Sequence, residues 1–574
     1  MKHSIAGTSP PQRRRLLFRV TLVLLAAAVA AVGWGCSADD ASSGALGVNA
    51  GNDGRNSANN GANNGANNGA ANNGNAGTNT NNNNGANNGF IPEPEETFNF
   101  RAPRSTRNFV FVANTSLDAV AKVDARTLEI SSIEVGDRPT VVRTYKPENM
   151  AVVLSEGSSE VSVIRAGDAT DYVVHMDLPR GMNAMEVSPK GDWALAWFDF
   201  NAALADPDTQ IGDAPPFQEL ALVKLKEGDE VVYRATVGFQ VLSVAFDDAG
   251  EHAYVVTRSG VSIVKFSELT GDTLLPPVAI ADVGIEDELE REVAVTGDGR
   301  YAFVRSGGLE GINIVDLDSR EIALVALDAI PTDLDIVPGA NRAMAVVRQT
   351  NQLAIIDLPG AISDPESVRV IELGDEPAGQ AELTADARKA VVFTAAEERQ
   401  AITVVNLADG EFQTWPLRKG VKAVAVAPWG DEAVIFHSKQ PGEPQPGESQ
   451  DQLIAKSWGY SLFDIETGFA KLETVPSEPG EFLFTEEGGR QKLYILLNDK
   501  ARGVRQVEII NMRALSAQSL RLGSPPEHIG IIPNDGDPRI YISQEHGVGR
   551  MSFIFEQTGE VRTVTGFQLN SLIE

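Results

Sequence analysis

One short pattern recurs through most of the chain and constrains its fold more than any other feature. An apolar stretch running into a turn reads MEVSPKG from Met185, VAFDDAG from Val244, VAVTGDG from Val293 and LDIVPGA from Leu334. It returns as AELTADA from Ala381, VAVAPWG from Val424, FLFTEEG from Phe482 and IGIIPND from Ile529. These starting points lie 41–59 residues apart, and an apolar segment such as WALAWF, HAYVVT, YAFVRS or AVIFHS follows most of them. A period of this length marks an array of like supersecondary units, none of which can bury its apolar surface without a neighbour.

The unit itself is legible from Asn108 to Pro139, NFVFVANTSLDAVAKVDARTLEISSIEVGDRP. Alternating apolar positions define three short strands separated by polar turns, and a fourth strand follows. Four strands in about 40–50 residues, repeated, is the pattern of β-propeller blades. Many of the strands are apolar on both sides, as expected where each blade is packed between two others. Residues 98–574 resemble the YVTN-type propeller repeats of secreted bacterial proteins, and the block from Phe109 and the stretch AVAVAPWGDEAVIFHS carry most of the likeness. The resemblance implies an all-β propeller of four-stranded blades and says little about activity. Ten units are counted, with seven or eight blades, or two smaller propellers, as alternatives. A helical solenoid is excluded by the β-rich, turn-rich pattern. The terminal GFQLNSLIE is expected to pair into the first blade and close the ring.

The N-terminus is of another kind. A basic cluster, RRRLLFR, precedes a thirteen-residue run from Val20 to Val32 that is apolar but for Thr21, and then comes Cys36, the only cysteine of the chain. Thirteen residues suit a signal-peptide core and fall short of the roughly 20 that span a bilayer. This order resembles a bacterial lipoprotein signal, which implies residues 1–35 as the signal and a lipid on the Cys36 thiol. The family pattern favours Leu, Val or Ile three residues before the cysteine, where this chain has Gly33, followed by Trp34. Cleavage after Ala38 and an uncleaved anchor are the other readings. Ser37, in place of the Asp that signals inner-membrane retention in that family, points to the outer membrane of the cell envelope.

Residues 36–97 form a tether. Asn59 to Gly89 is almost entirely Asn, Gly, Ala and Thr, which cannot repay the entropy of ordering, so a disordered linker is expected. Some sixty such residues have an end-to-end distance of roughly 40–45 Å.

The chemistry of the body is sparse. The formal net charge is −31, and removing residues 1–35, with five basic and no acidic residues, takes it to −36. Such a body repels phosphate backbones and argues against nucleic acid as a partner. A lone cysteine excludes c-type haem attachment and a paired-cysteine centre. His3, His175, His252, His437, His528 and His546 are dispersed, with no H-x-x-x-H spacing, so no metal or cofactor is expected. The stretch DPDTQIGD from Asp206 starts like a calcium loop, but Ile211 stands where the turn needs Gly. Two insertions, Phe198 to Glu219 and Ser438 to Gln452, must emerge at a rim, where binding loops usually lie.

One constellation stands out. In the recurring strand the middle position is small at Ala245, Ala294, Ala425 and Gly530, but is Glu186, Asp335 and Glu382 in three units. These carboxylates are expected at similar heights on the strand nearest the ring axis, where they could bind a cation or basic group, or act as an acid–base pair. The functional expectation is a membrane-tethered, non-catalytic propeller that binds a protein, peptide or glycan. The alternative is a lactonase-like or other hydrolytic propeller using the channel carboxylates, for which seven blades are the natural number.

Overall fold

The computed structural model describes residues 100–567 apart from 206–215, 282–290, 338–339, 377 and 397. The signal, the tether, the calcium-like stretch from Asp206 to Asp213 and the last residues of GFQLNSLIE lie outside these. The described chain forms ten antiparallel sheets in sequence order, each a propeller blade. Eight have four strands, running from the axis outward in the order of the chain.

Blades 3 and 4 depart from four, and the sequence says why. Pro276 and Pro277 fall where the outer strand of blade 4 belongs, and proline cannot donate to a ladder. Only Val278 keeps its place, bridged to Val261, while Thr273–Leu274 turns away and pairs in parallel with Val231–Thr236 of blade 3. Blade 4 is left with three strands and blade 3 gains a fifth.

The ring is held by ten apolar clusters, one between each pair of successive blades. The strand Phe109–Asn114 shows the principle. Phe109, Phe111 and Ala113 face blade 2 and meet Val142, Ala151, Val153 and Ile164. Val110 and Val112, on the other face, meet Tyr541, Met551 and Phe553 of blade 10. A strand with both faces covered favours apolar residues on both of them, which is why simple alternation fades from the sequence.

The last cluster closes the ring without exchange of strands among the described residues. Blade 1 is built from residues Arg104–Glu134 and blade 10 from Pro526–Thr565. Of the expected closing strand only Gly566 and Phe567 are described: they bond to Gly549 and Val548 of their own blade, and the Phe567 ring packs against Phe100 in the cluster between blades 10 and 1. Polar contacts stitch the seam, with Ser105 Oγ donating to the Ile531 carbonyl at 2.8 Å and Asn534 N to the Arg107 carbonyl at 2.7 Å.

The recurring turn also has a local cause. Thr296 Oγ1 accepts the Tyr301 N–H and donates to Asp298, and Thr384 does the same with Lys389 and Asp386. Ser188 and Asp247 accept the equivalent N–H groups of Trp193 and His252. In these four blades, 3, 4, 5 and 7, the Ser, Thr or Asp before the turn is thus a local clamp on the reversal into the second strand.

Both insertions follow the second strand of their blades, and Asn114, to which Phe100 is bridged, ends the second strand of blade 1. The described chain therefore begins on the face that carries both insertions. On blade 3 the insertion contains a helix, Phe200–Ala205, and builds an aromatic cluster in which Phe198, Phe200, Phe217 and Phe239 lie 5.2–6.5 Å apart.

Candidate functional site

Each of the three marked carboxylates lies on an innermost strand and at one height. Glu186 stands opposite Leu195, Asp335 opposite Met344 and Glu382 opposite Val391, each at the same place in its blade. Height is all that Glu186 shares with the other two. It belongs to blade 3, three blades from Asp335, and its Oε1 accepts from Arg143 Nε at 3.1 Å and Nη2 at 2.9 Å. A half-exposed pair of this kind is nearly neutral for stability. The expected ring of carboxylates is thus an isolated ion pair on one side and a true cluster on the other.

That cluster spans blades 5–7. Asp335 and Glu382 come from adjacent blades, and two residues the sequence reading passed over join them. Asp333 lies two positions before Asp335 on the strand Asp333–Ile336, and Glu292 is on the innermost strand of blade 5. Residues two apart on a strand share a face, so the DLD of blade 6 was the available signal. Asp333 is buried and accepts the Ala381 N–H at 2.9 Å, which fastens blade 6 to blade 7. Glu481 repeats this fastening between blades 9 and 10, where it accepts the Ile529 N–H at 3.0 Å. Glu292 is paired with Arg305 at 2.8 Å.

Asp335 and Glu382 have no hydrogen-bond partner among the described residues, and their charges are poorly solvated. Burial, and then the charges of Asp333, Glu382 and Glu292, hold the Asp335 carboxyl well above its ordinary value. Burial, and then Asp333, push Glu382 up to about 8. Burial raises Asp333 to about 6, against the pull of its bond from Ala381. The Glu382 side chain is exposed on the channel side while protein surrounds it closely. The fold thus raises the proton affinity of all three carboxyls, and a carboxyl that keeps its proton can donate a hydrogen bond or a proton.

The histidines stay apart. His175 bonds Ser162, His252 bonds Asp247, and buried His437 donates from Nδ1 to the Gly420 carbonyl while accepting from Ser461. Burial lowers His437 to about 4, so it is a neutral core residue. His528 is the exception: Glu481 of the neighbouring blade holds its Nδ1 at 2.7 Å, on the channel side of blades 9 and 10. Spacing along the chain could not reveal this pair, because its members are 47 residues apart. Among the described residues no three His, Cys, Asp or Glu side chains are arranged to hold a metal ion.

Neither a protein-family model nor a curated protein matches the sequence. Among solved structures the chain is similar to dihydro-heme d1 dehydrogenase NirN in complex with DHE, at 12% identity and a TM-score of 0.39 over 74% of each chain. It is also similar to Kuenenia stuttgartiensis hydrazine synthase, at 14% identity and a TM-score of 0.29, over 57% of this chain and 99% of that one.

Proposed function

We propose that this chain is an exported, lipid-anchored propeller that serves as a non-catalytic binding or scaffold module in the bacterial cell envelope. The observation that carries the reading is the order of parts: basic cluster, short apolar core, a single cysteine, a tether without core-forming residues, then a rigid ring. Several acyl chains on Cys36 would hold the ring at a membrane where one chain is marginal. The insertion-bearing face, from which the described chain begins, is the surface on which a protein, peptide or glycan partner would sit. Replacement of Cys36 with Ala is expected to move the protein from the membrane to the soluble fraction. Unchanged fractionation would sink the lipid anchor.

A second reading, a hydrolytic propeller, is favoured by one observation: the raised carboxyl groups of Asp335 and Glu382. The ten blades speak against a lactonase-type ring of seven. The scaffold reading expects no turnover of a lactone panel by the purified protein. Turnover abolished by Asp335→Asn or Glu382→Gln would reverse the ranking.

A further inference from the structure

At the end of the blades opposite the insertions, blades 8 and 9 part to leave a cleft of about 90 Å³. Glu432, Asp464 and Phe469 line it from blade 8, and Met512, Arg513 and Leu515 from blade 9. That is room for about three waters at their share of liquid volume.

Blade 8 differs from the other blades here. Glu432 opens its second strand directly opposite Asp464, and like charges so placed repel one another. The corresponding pair in the other nine blades never joins two acids, and in blade 6 it is Arg342 with Asp357. In the turn beyond, the carbonyl that accepts the Asp464 N–H belongs to Phe469, where four other blades use Glu129, Glu321, Glu411 and Glu560. Its ring is 54% exposed.

Each acid is only half satisfied. Trp429 Nε1 donates to Glu432 Oε2, and Asp464 Oδ1 takes the N–H groups of Glu466 and Thr467 at 3.0 and 2.8 Å. Among the described residues Glu432 Oε1 and Asp464 Oδ2 have no partner. On the other wall Arg513 gives its Nε to the Gln491 side-chain oxygen at 2.9 Å, and its two Nη groups have no partner among the described residues. The Arg513 charge acts on Glu432, but no ion pair joins them. Lys471, which reaches this edge through the Leu515 carbonyl, is already paired with Glu473 at 2.7 Å. The cleft thus sets two carboxylates on one wall against an open guanidinium fork on the other.

We propose that this cleft binds an α-amino acid, its ammonium group between Glu432 and Asp464, its carboxylate on the Arg513 fork and its side chain along Phe469. A guanidinium fork suits the two oxygens of a carboxylate, and the two charges of the ligand match those of the walls. The site goes beyond the reading above and stands whether or not Cys36 is lipidated. Calorimetric titration of the full chain with glycine, alanine and leucine tests it. Ethylammonium chloride and sodium propionate, each with one of the two charges, are the controls. At least one amino acid is expected to bind saturably, about tenfold or more tighter than either control. Arg513→Gln and Glu432→Gln should each weaken it about tenfold or more, the worth of one charged hydrogen bond. Arg513 is exposed, and Glu432→Gln keeps an oxygen for Trp429, so neither change should disturb the ring. Phe469→Ser should weaken leucine and leave glycine unchanged, which a general loosening of the cleft would not do. No saturable binding of any of the three amino acids overturns the proposal. So does a control that binds as tightly, or binding that Arg513→Gln leaves unchanged or tightens.

Discussion

Replacing Phe553 with Ala is expected to cost about 3–5 kcal/mol of stability, the usual range for a buried phenylalanine. Phe553 is fully buried in the cluster between blades 10 and 1, the interface at which the two ends of the described ring meet. Phe303, equally buried between blades 5 and 6, is the control. Neither interface is reinforced by strand exchange among the described residues, so the two substitutions should lower the unfolding free energy read from urea titration to a similar extent, within ~1 kcal/mol. They should differ in where the ring loosens. Phe553→Ala should raise amide exchange first in blades 1 and 10, and Phe303→Ala in blades 5 and 6. A seam substitution that costs far less than its control would mean that residues before 100 or after 567 hold the ends together.

Stability should fall as pH rises from about 4.5 toward 8, and Glu382→Gln should remove part of that fall. The sign follows from linkage. The carboxyls of Asp333, Asp335 and Glu382 are all raised in the fold, so between the unfolded and folded values the native state binds more protons than the unfolded chain. Stability that is fully present below the unfolded value is lost as pH climbs to the folded one, at about 6 for Asp333 and about 8 for Glu382. Glutamine keeps the shape of Glu382 and carries no charge. The variant should therefore match the parent at pH 4.5 and exceed it in melting temperature at pH 8. A parent whose stability is flat across this window, or a variant that is weaker at pH 8, would show that channel water solvates the carboxylate well enough to keep it ionised.

The blade count was legible because an apolar strand running into a turn recurs at a regular interval, and in four blades the turn repeats the same local chemistry. Ser188, Asp247, Thr296 and Thr384 each fasten the strand reversal with a side-chain oxygen, so selection for the turn leaves a mark at a regular interval. The strand content was legible for the same reason, since burial on two faces favours apolar runs. The height of Glu186, Asp335 and Glu382 was legible too, because it is counted from the turn within each blade.

What lies between blades was not. Whether equal heights become a cluster depends on which blades are neighbours and on what each carboxylate meets there. Arg143 claims Glu186, whereas Asp335 and Glu382 meet only Asp333, Glu292 and one another's field. The same holds for His528 with Glu481 and for Lys419 with the helix Gln450–Ala455, pairs made by residues 47 and about 35 positions apart. The sequence by itself determined the repeat, the strands, the two insertions and the separate character of residues 1–97, all of which follow from local patterns of polarity and turn chemistry. Only the tertiary structure decided how the ring closes and where charge is left buried. Both depend on contacts across blade boundaries, whose energies no single repeat contains.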